Sequence, residues 1–209
     1  MNTVVFDGQE IVPSKVVCIG RNYVEHITEL GNEMPTEPVI FVKPNSAIGR
    51  QLFSRSDGQF HFESELSFIV EQNTLAGVGF GLDLTKRDMQ STLKAKGLPW
   101  ERAKAFDNSA VFSKFVRCDV DLASLKLELR MNDSLVQQGG CELMIYKPQT
   151  IVAEIIGFMT LEDGDIVMTG TPKGVGTFSE NDEFTGRIYA NDKLLLEQNW
   201  TAIRASSGQ

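Results

Sequence analysis

Glu63 and Glu65 stand two residues apart in Phe62-Glu63-Ser64-Glu65-Leu66-Ser67-Phe68-Ile69-Val70, where polar and apolar residues alternate. On a strand this period puts both carboxylates on one face, with Cβ atoms roughly 7 Å apart. Carboxylates that close repel unless a proton or a cation intervenes. Spacing alone leaves two readings, a solvated face of an edge strand or two ligands of a metal ion. Asp83, near the end of a second predicted strand, becomes a third ligand if the fold brings it close. Three carboxylates with no Cys or His among them suit a hard divalent cation, Mg2+ or Mn2+, with water or substrate oxygens completing the octahedron. Zinc would ask for nitrogen or sulfur ligands.

The chain has two histidines. His26 and Glu29 are three apart on a predicted short helix and so share a face. A carboxylate that orients an imidazole is the usual arrangement for a general base acting on water. The alternative is a hydrogen-bonded structural histidine. His61 precedes the glutamate pair by two, either as a supporting group or as a residue without a role. Lys104 lies beside Phe106 in a compact polar stretch, residues 100–109. It reads either as a partly buried anion ligand near an acidic metal site or as a surface lysine. Thr169-Gly170-Thr171-Pro172-Lys173-Gly174-Val175-Gly176 invites comparison with a phosphate loop, but it has neither Walker A spacing nor GxGxxG. It reads as a loop offering backbone N–H groups and the Thr171 hydroxyl to an anionic ligand, or as an ordinary Gly/Pro turn.

These residues need elements to position them. Residues 16–20 form a short apolar strand ending in Gly20, and residues 39–43 another before Pro44. Between them, residues 23–30 give one to two helical turns stopped by Gly31. In the glutamate strand Leu66, Phe68 and Val70 point away from Glu63, Glu65 and Ser67. Residues 78–84 form a strand weakened by glycines. Thr85-Lys86-Arg87-Asp88 resembles a capping box with Asp in place of Glu, opening a helix that runs to Lys96 and stops at Gly97. Arg87 and Gln90 share a face of its first turn. Residues 125–131 alternate and turn back at Asn132-Asp133. Apolar residues at 151, 152, 155, 156 and 159 have helical spacing. Residues 161–165 turn into a strand at 166–170, and Asn191-Asp192 is a two-residue hairpin turn. Strands outnumber helices without strict alternation, which predicts an α+β, mainly β fold rather than a doubly wound sheet.

Of 209 residues, 42% are apolar and 23% charged, enough to bury a core and to exclude disorder of the bulk of the chain. Twenty Lys and Arg stand against 28 Asp and Glu, a net charge of −8 with no basic run. That argues against nucleic acid and against an anionic membrane surface as partners. Cys18, Cys118 and Cys141 are odd in number and form no CxxC, so neither a zinc ribbon nor a disulfide framework fits. No apolar run approaches the ~18 residues needed to span a bilayer, and the first residues lack signal-peptide features. A cytoplasmic location follows by default. Residues 1–205 are expected to form one catalytic domain, followed by a polar tail at 206–209.

Taken together, the motifs resemble the fumarylacetoacetate hydrolase family, and most closely its single-domain acylpyruvate hydrolase branch. They stand in the family's order: Gly20-Arg21-Asn22-Tyr23-Val24-Glu25-His26, then Glu29; Glu37-Pro38 through Lys43-Pro44; Glu63-Ser64-Glu65-Leu66; Leu82-Asp83-Leu84-Thr85-Lys86-Arg87-Asp88-Met89-Gln90; Gly97-Leu98-Pro99-Trp100 through Asp107; Met144-Ile145; and residues 161–176. The resemblance implies a mixed β-sandwich roll with a few short helices, assembled as a homodimer. It implies that Glu63, Glu65 and Asp83 hold Mg2+ and that His26 and Glu29 form a water-activating dyad on a mobile lid. Lys104 would stabilise developing negative charge. Arg21, Lys43, Arg87, Gln90 and Thr171 would line the pocket for the substrate's carboxylate and keto oxygens. The sequence departs from the family at Phe62, where a second His is usual, and at Cys141, where a Thr is common.

The chemistry implied first is hydrolysis of an acylpyruvate to pyruvate and a carboxylic acid. Water attacks the distal carbonyl, and the metal and Lys104 stabilise the departing enolate. The same site without an attacking water implies a tautomerase or decarboxylase of oxaloacetate, or an isomerase or hydratase of dienoic acids. A reading from another class is a non-catalytic protein whose acidic cluster holds Ca2+. Lys104 and Arg87 speak against it, since a simple Ca2+ cage gains nothing from nearby cations.

Overall fold

In the computed structural model, which describes residues 1–54 and 60–205, two tight hairpins build the smaller of the two main sheets. Asn132 and Asp133 (φ 48° and 64°) join Leu125–Met131 to Ser134–Gly140. Asn191 and Asp192 (φ 49° and 60°) join Glu183–Ala190 to Lys193–Thr201. Positive φ at both turn residues matches the twist of the flanking strands, and after Gly the residues that tolerate it best are Asn and Asp. The antiparallel order is Ser134–Gly140, Leu125–Met131, Glu183–Ala190, Lys193–Thr201.

The larger sheet has eight strands and is mixed. Val39–Pro44, Lys15–Gly20, Ile166–Met168, Ser64–Glu71, Thr74–Asp83, Ala110–Phe112 and Ile48–Gly49 follow one another, and Val116–Arg117 also pairs with Thr74–Asp83. Ile166–Met168 runs parallel to Lys15–Gly20 and antiparallel to Ser64–Glu71. The two sheets share one apolar core, in which Leu66, Phe68, Phe80 and Leu82 meet Leu127, Leu129, Phe184 and Ile188. Phe80 and Trp200 pack with ring centroids 5.8 Å apart across it. On another side the helix Pro148–Ile156 lays Ile151, Val152 and Ile155 on Val17, Ile19 and Val167. The fold is α+β and mainly β, as the sequence implies.

Two local expectations fail for physical reasons. Val70 does not join Leu66 and Phe68. The register shifts between Ile69 and Val70, and the shift sends Val70 into the cluster under Pro148–Ile156. The capping box does not form either. Thr85 pairs with His61 in the short strand Thr85–Lys86, and its hydroxyl accepts from Lys104 Nζ at 2.6 Å. The helix Arg87–Ala95 therefore starts without a side-chain cap, and it ends before Gly97 at φ 62°. The polar tail at 206–209 lies outside the described residues. No helix among the described residues is long and apolar enough to cross a membrane.

Candidate metal centre and active site

Strand register assembles the acidic triad. Ser64 pairs with Leu82 and Glu65 with Gly81, and the Asp83 N–H donates to the Glu63 carbonyl at 2.8 Å. Asp83 thus faces Glu63 across the strand pair, and Glu65 lies two residues along the same face. One ligand atom from each carboxylate lies within 4.8 Å of the other two. Each residue is at most 5% exposed. The edge-strand reading is excluded, because Ser64–Glu71 sits between Ile166–Met168 and Thr74–Asp83 and is buried at seven of its eight positions.

Cations partly offset the charge. Lys104 comes from the short helix Glu101–Lys104 and is 2% exposed. Its Nζ donates to Glu63 Oε2 at 2.8 Å, Asp83 Oδ2 at 2.6 Å and Thr85 Oγ1 at 2.6 Å. Burial disfavours the ammonium, but Asp83 and Glu63 outweigh it and raise its pKa. Arg87 donates from Nη2 to Glu63 Oε1 and from Nη1 to Gln90 Oε1 at 2.8 Å. Burial pushes the Glu63 carboxyl up, yet Lys104, Arg87 and His26 together hold it well below the usual range. Glu65 forms no ion pair among the described residues, and only the more distant Lys104 favours its charge from among the cations. Burial and Asp83 push its carboxyl up, opposed by the Gly170 N–H, which donates to Oε2 at 2.7 Å.

The donor set fits a hard divalent cation. It is all oxygen and buried, and Asp83 Oδ1 is ion-paired with Lys43 Nζ at 2.8 Å but accepts no well-aligned hydrogen bond among the described residues. Glu65 is left crowded by like charges that a divalent ion would relieve.

The proposed lid is the helix Val24–Glu29, entered through Arg21 at φ 56°, a strained conformation for a residue with a Cβ. Asn22, fully buried, pins its start by donating to the Tyr146 carbonyl at 3.0 Å and the Thr169 carbonyl at 2.8 Å. Its Oδ1 accepts from the Tyr146 N–H at 2.7 Å. His26 Nδ1 lies 3.1 Å from Glu29 Oε2, and the Gly174 N–H is shared between the two Glu29 oxygens at 3.0 and 3.2 Å.

The 169–176 loop thus spends two of its N–H groups on the protein's own carboxylates, Glu65 and Glu29, where the sequence suggested an external anion. Glycine is required at both positions. Gly170 has φ 97°, and a Cβ there would sit 2.8 Å from Asn22 Cβ. Gly174 has φ 96°, and a Cβ there would sit 1.9 Å from the Val136 carbonyl oxygen.

A narrow cleft of about 40 Å3 over the triad brings together Arg21, His26, Glu63, Glu65, Asp83, Arg87, Gln90, Lys104 and Thr171. Lys43 is the exception among the residues expected to line the pocket. It is fully buried behind Asp83, bonded to the Lys104 carbonyl and to the Ser109 carbonyl and hydroxyl, and absent from the cleft wall. His61 is also outside the wall. Burial and Arg87 lower its pKa, against Glu63, and its Nδ1 has no partner among the described residues.

Two residues escaped the sequence reasoning. Gln137, 1% exposed, accepts from the Ser64 N–H at 2.9 Å and donates to Thr171 Oγ1 and the Pro172 carbonyl, each at 2.8 Å. It ties the triad strand to the glycine loop, and nothing in its sequence neighbourhood signals that. Lys94 joins the cleft wall, and its spacing from Arg87 and Gln90 did signal it. At the two departures, Phe62 packs edge-on against Phe184 at 5.3 Å and Cys141 lies in the same apolar core. A larger hollow of about 550 Å3, bordered by Leu135, Leu143 and Lys126, contains none of the triad or lid dyad.

Comparison with known proteins identifies the family. The model of the fumarylacetoacetate (FAA) hydrolase C-terminal family matches residues 15–199. An oxaloacetate tautomerase of Escherichia coli (strain K12) is 42% identical over 190 residues, covering 82% of this chain and 87% of that protein. The mitochondrial oxaloacetate tautomerase of Homo sapiens is 38% identical over 191 residues, covering 83% and 86%. Among solved structures, a fumarylacetoacetate isomerase/hydrolase-type protein of Oleispira antarctica superposes with a TM-score of 0.91 at 32% identity, covering 97% of this chain and 100% of that one. The fumarylpyruvate hydrolase of Pseudomonas aeruginosa, in complex with Mn2+ and pyruvate, gives a TM-score of 0.87 at 27% identity, covering 98% and 96%. With the family model matching residues 15–199 and relatives 42% and 38% identical over more than four fifths of its length, this chain is a member of the fumarylacetoacetate hydrolase family.

Proposed function

We propose that the chain is a divalent-metal-dependent keto–enol tautomerase of oxaloacetate. The observation that carries this reading is a buried imidazole, His26, held from outside the cleft by the exposed carboxylate of Glu29 and sharing one cation-lined cleft with three buried carboxylates. The oxaloacetate tautomerases among the relatives support it. Glu63, Glu65 and Asp83 would hold the ion, with Mg2+ or Mn2+ suited to the oxygen donors. When bound there, the ion would supply Lewis acidity toward the keto oxygen.

The chain's own residues do the rest. Arg87 and Lys104 add fixed positive charge at the end where the enolate develops. Glu29 bonds one ring nitrogen of His26 and fixes the imidazole. The other nitrogen moves the proton, taking it from C3 and returning it to the C2 oxygen for enolisation, with the reverse order for ketonisation. A cleft of about 40 Å3 has room for only a few waters, so a keto acid would enter with the lid lifted.

Acylpyruvate hydrolysis, placed first by the sequence, becomes the second reading. The same dyad is suited to activating water, and the similarity to a fumarylpyruvate hydrolase favours it. The test is ketonisation of enol-oxaloacetate, followed by ultraviolet absorbance with Mg2+ and then with chelator, beside cleavage of acetylpyruvate. The expected result is metal-dependent ketonisation far above the buffer rate and slower cleavage. Decay of the enol at the buffer rate in the presence of Mg2+ would reject the tautomerase.

A further inference from the structure

The cleft holds more positive charge than the acidic triad uses. Lys104 and Arg87 are engaged by Glu63 and Asp83. Arg21 and Lys94 also line the cleft, and among the described residues neither pairs with a carboxylate. The buried Arg21 Nε has no hydrogen-bond partner there at all. Lys94 Nζ makes one bond, to Asn32 Oδ1 at 2.7 Å, which leaves two of its three protons unassigned.

Its position follows from helix spacing. Arg87, Gln90 and Lys94 are at i, i+3 and i+7 of Arg87–Ala95, so all three face the cleft from one stripe. Lys94 is half-buried close to three cations, Arg21, Arg87 and Lys104, an arrangement that disfavours its charge. Burial, Arg21, Arg87 and Lys104 all disfavour its charge, and Glu63, which favours it, does not outweigh them. Such a cluster is stable when an anion arrives between its members.

We propose that Lys94, with Arg21 beside it, binds the second carboxylate of the substrate and makes the site selective for keto dicarboxylates over keto monocarboxylates. The inference rests on the reading above that the keto-acid end of the substrate sits at the triad. Charge balance supports it. Four cationic side chains (Arg21, Arg87, Lys94, Lys104) face three anionic ones in the cleft wall, so a bound divalent ion leaves an excess of positive charge. A dianionic substrate cancels more of that excess than a monoanion does. Asn32 lies just beyond the lid helix Val24–Glu29, so the ammonium that meets the carboxylate also holds the closed lid.

Malate and lactate provide the test, because they share a hydroxy-acid end and differ by one carboxylate. Both are titrated calorimetrically into the Mg2+-loaded protein, as wild type, Lys94→Met, Lys94→Arg and Asn32→Ala. Lys94→Met should weaken malate by about 10–100-fold, the weight of a charge-assisted contact, and change lactate by less than about 3-fold. Lys94→Arg should keep most of the preference for malate, and so should Asn32→Ala, which removes the lid contact and a neutral cleft-wall group but no charge. Equal weakening of both acids, or of neither, in a folded Lys94→Met protein would overturn the proposal. Loss of malate discrimination in a protein that does not tautomerise oxaloacetate would leave the proposal standing and refute the reaction assigned above.

Discussion

Lys104→Met isolates the electrostatic logic of the centre. Lys104 Nζ bridges Glu63 and Asp83 within 2.8 Å at 2% exposure, and methionine keeps the chain's bulk while removing the charge. Breaking one side of a buried ion pair costs about 3–5 kcal/mol, because the carboxylates stay buried without compensation. At ~2–4 °C per kcal/mol for a chain of this size, Tm without metal should fall by roughly 6–20 °C. The variant should then depend on metal more than wild type does. An ion at 100 times its Kd returns about 2.7 kcal/mol to any form that binds it, and more when affinity rises because a competing ammonium is gone. The assay is thermal unfolding of both proteins across an Mg2+ titration, with a chelator control. The expected pattern is a large Tm gap without metal that narrows as Mg2+ rises, while turnover of enol-oxaloacetate stays reduced. A variant as stable as wild type in chelator, or one whose gap does not narrow with Mg2+, would refute the view that Lys104 balances a cation-binding triad.

Four further outcomes are open to measurement. His26→Ala should lower ketonisation by ~10²–10⁴, the usual weight of a general base, while calorimetric oxalate affinity stays near wild type; parallel loss of both would place His26 in binding instead. Gly174→Ala should force the loop off Val136, release the Gly174–Glu29 contact and cut turnover with Mg2+ affinity little changed, and normal kinetics would show that this tether is dispensable. Asp165, whose side chain is fully buried, accepts from the Ser14, Lys15 and Glu162 N–H groups, the Ser14 hydroxyl and Lys15 Nζ. Burial raises its pKa, but these bonds lower it overall, so its stabilisation is present above ~3.9 and lost as pH falls through the lower folded value. Asp165→Asn should therefore cost ~3–5 kcal/mol in denaturant unfolding at pH 7, with the gap closing below about pH 4. Finally, a homodimer, implied by the family resemblance, should scatter light as twice 23.2 kDa, and a monomer across micromolar dilution would count against it.

What the sequence determined by itself was local. Period-two alternation placed Glu63 and Glu65 on one face, Asn-Asp pairs fixed both hairpins, and the i, i+3 spacing of His26 and Glu29 anticipated their 3.1 Å contact. These are short-range consequences of backbone geometry, and the residues that create them are adjacent in the chain. The tertiary structure decided everything that depends on register or burial. Pairing of Ser64 with Leu82 brought Asp83 opposite Glu63, and a shift after Ile69 turned Val70 away from its expected neighbours. Lys43 looked like a pocket residue from its place in a motif, yet the fold buried it behind Asp83. Thr85 looked like a helix cap until Lys104, 19 residues on, claimed its hydroxyl. Gln137 carried no signal, because its partners Ser64 and Thr171 are 73 and 34 residues away. A polar side chain takes whichever partner burial leaves within reach, and sequence spacing cannot state which partners the packed sheets will bring there.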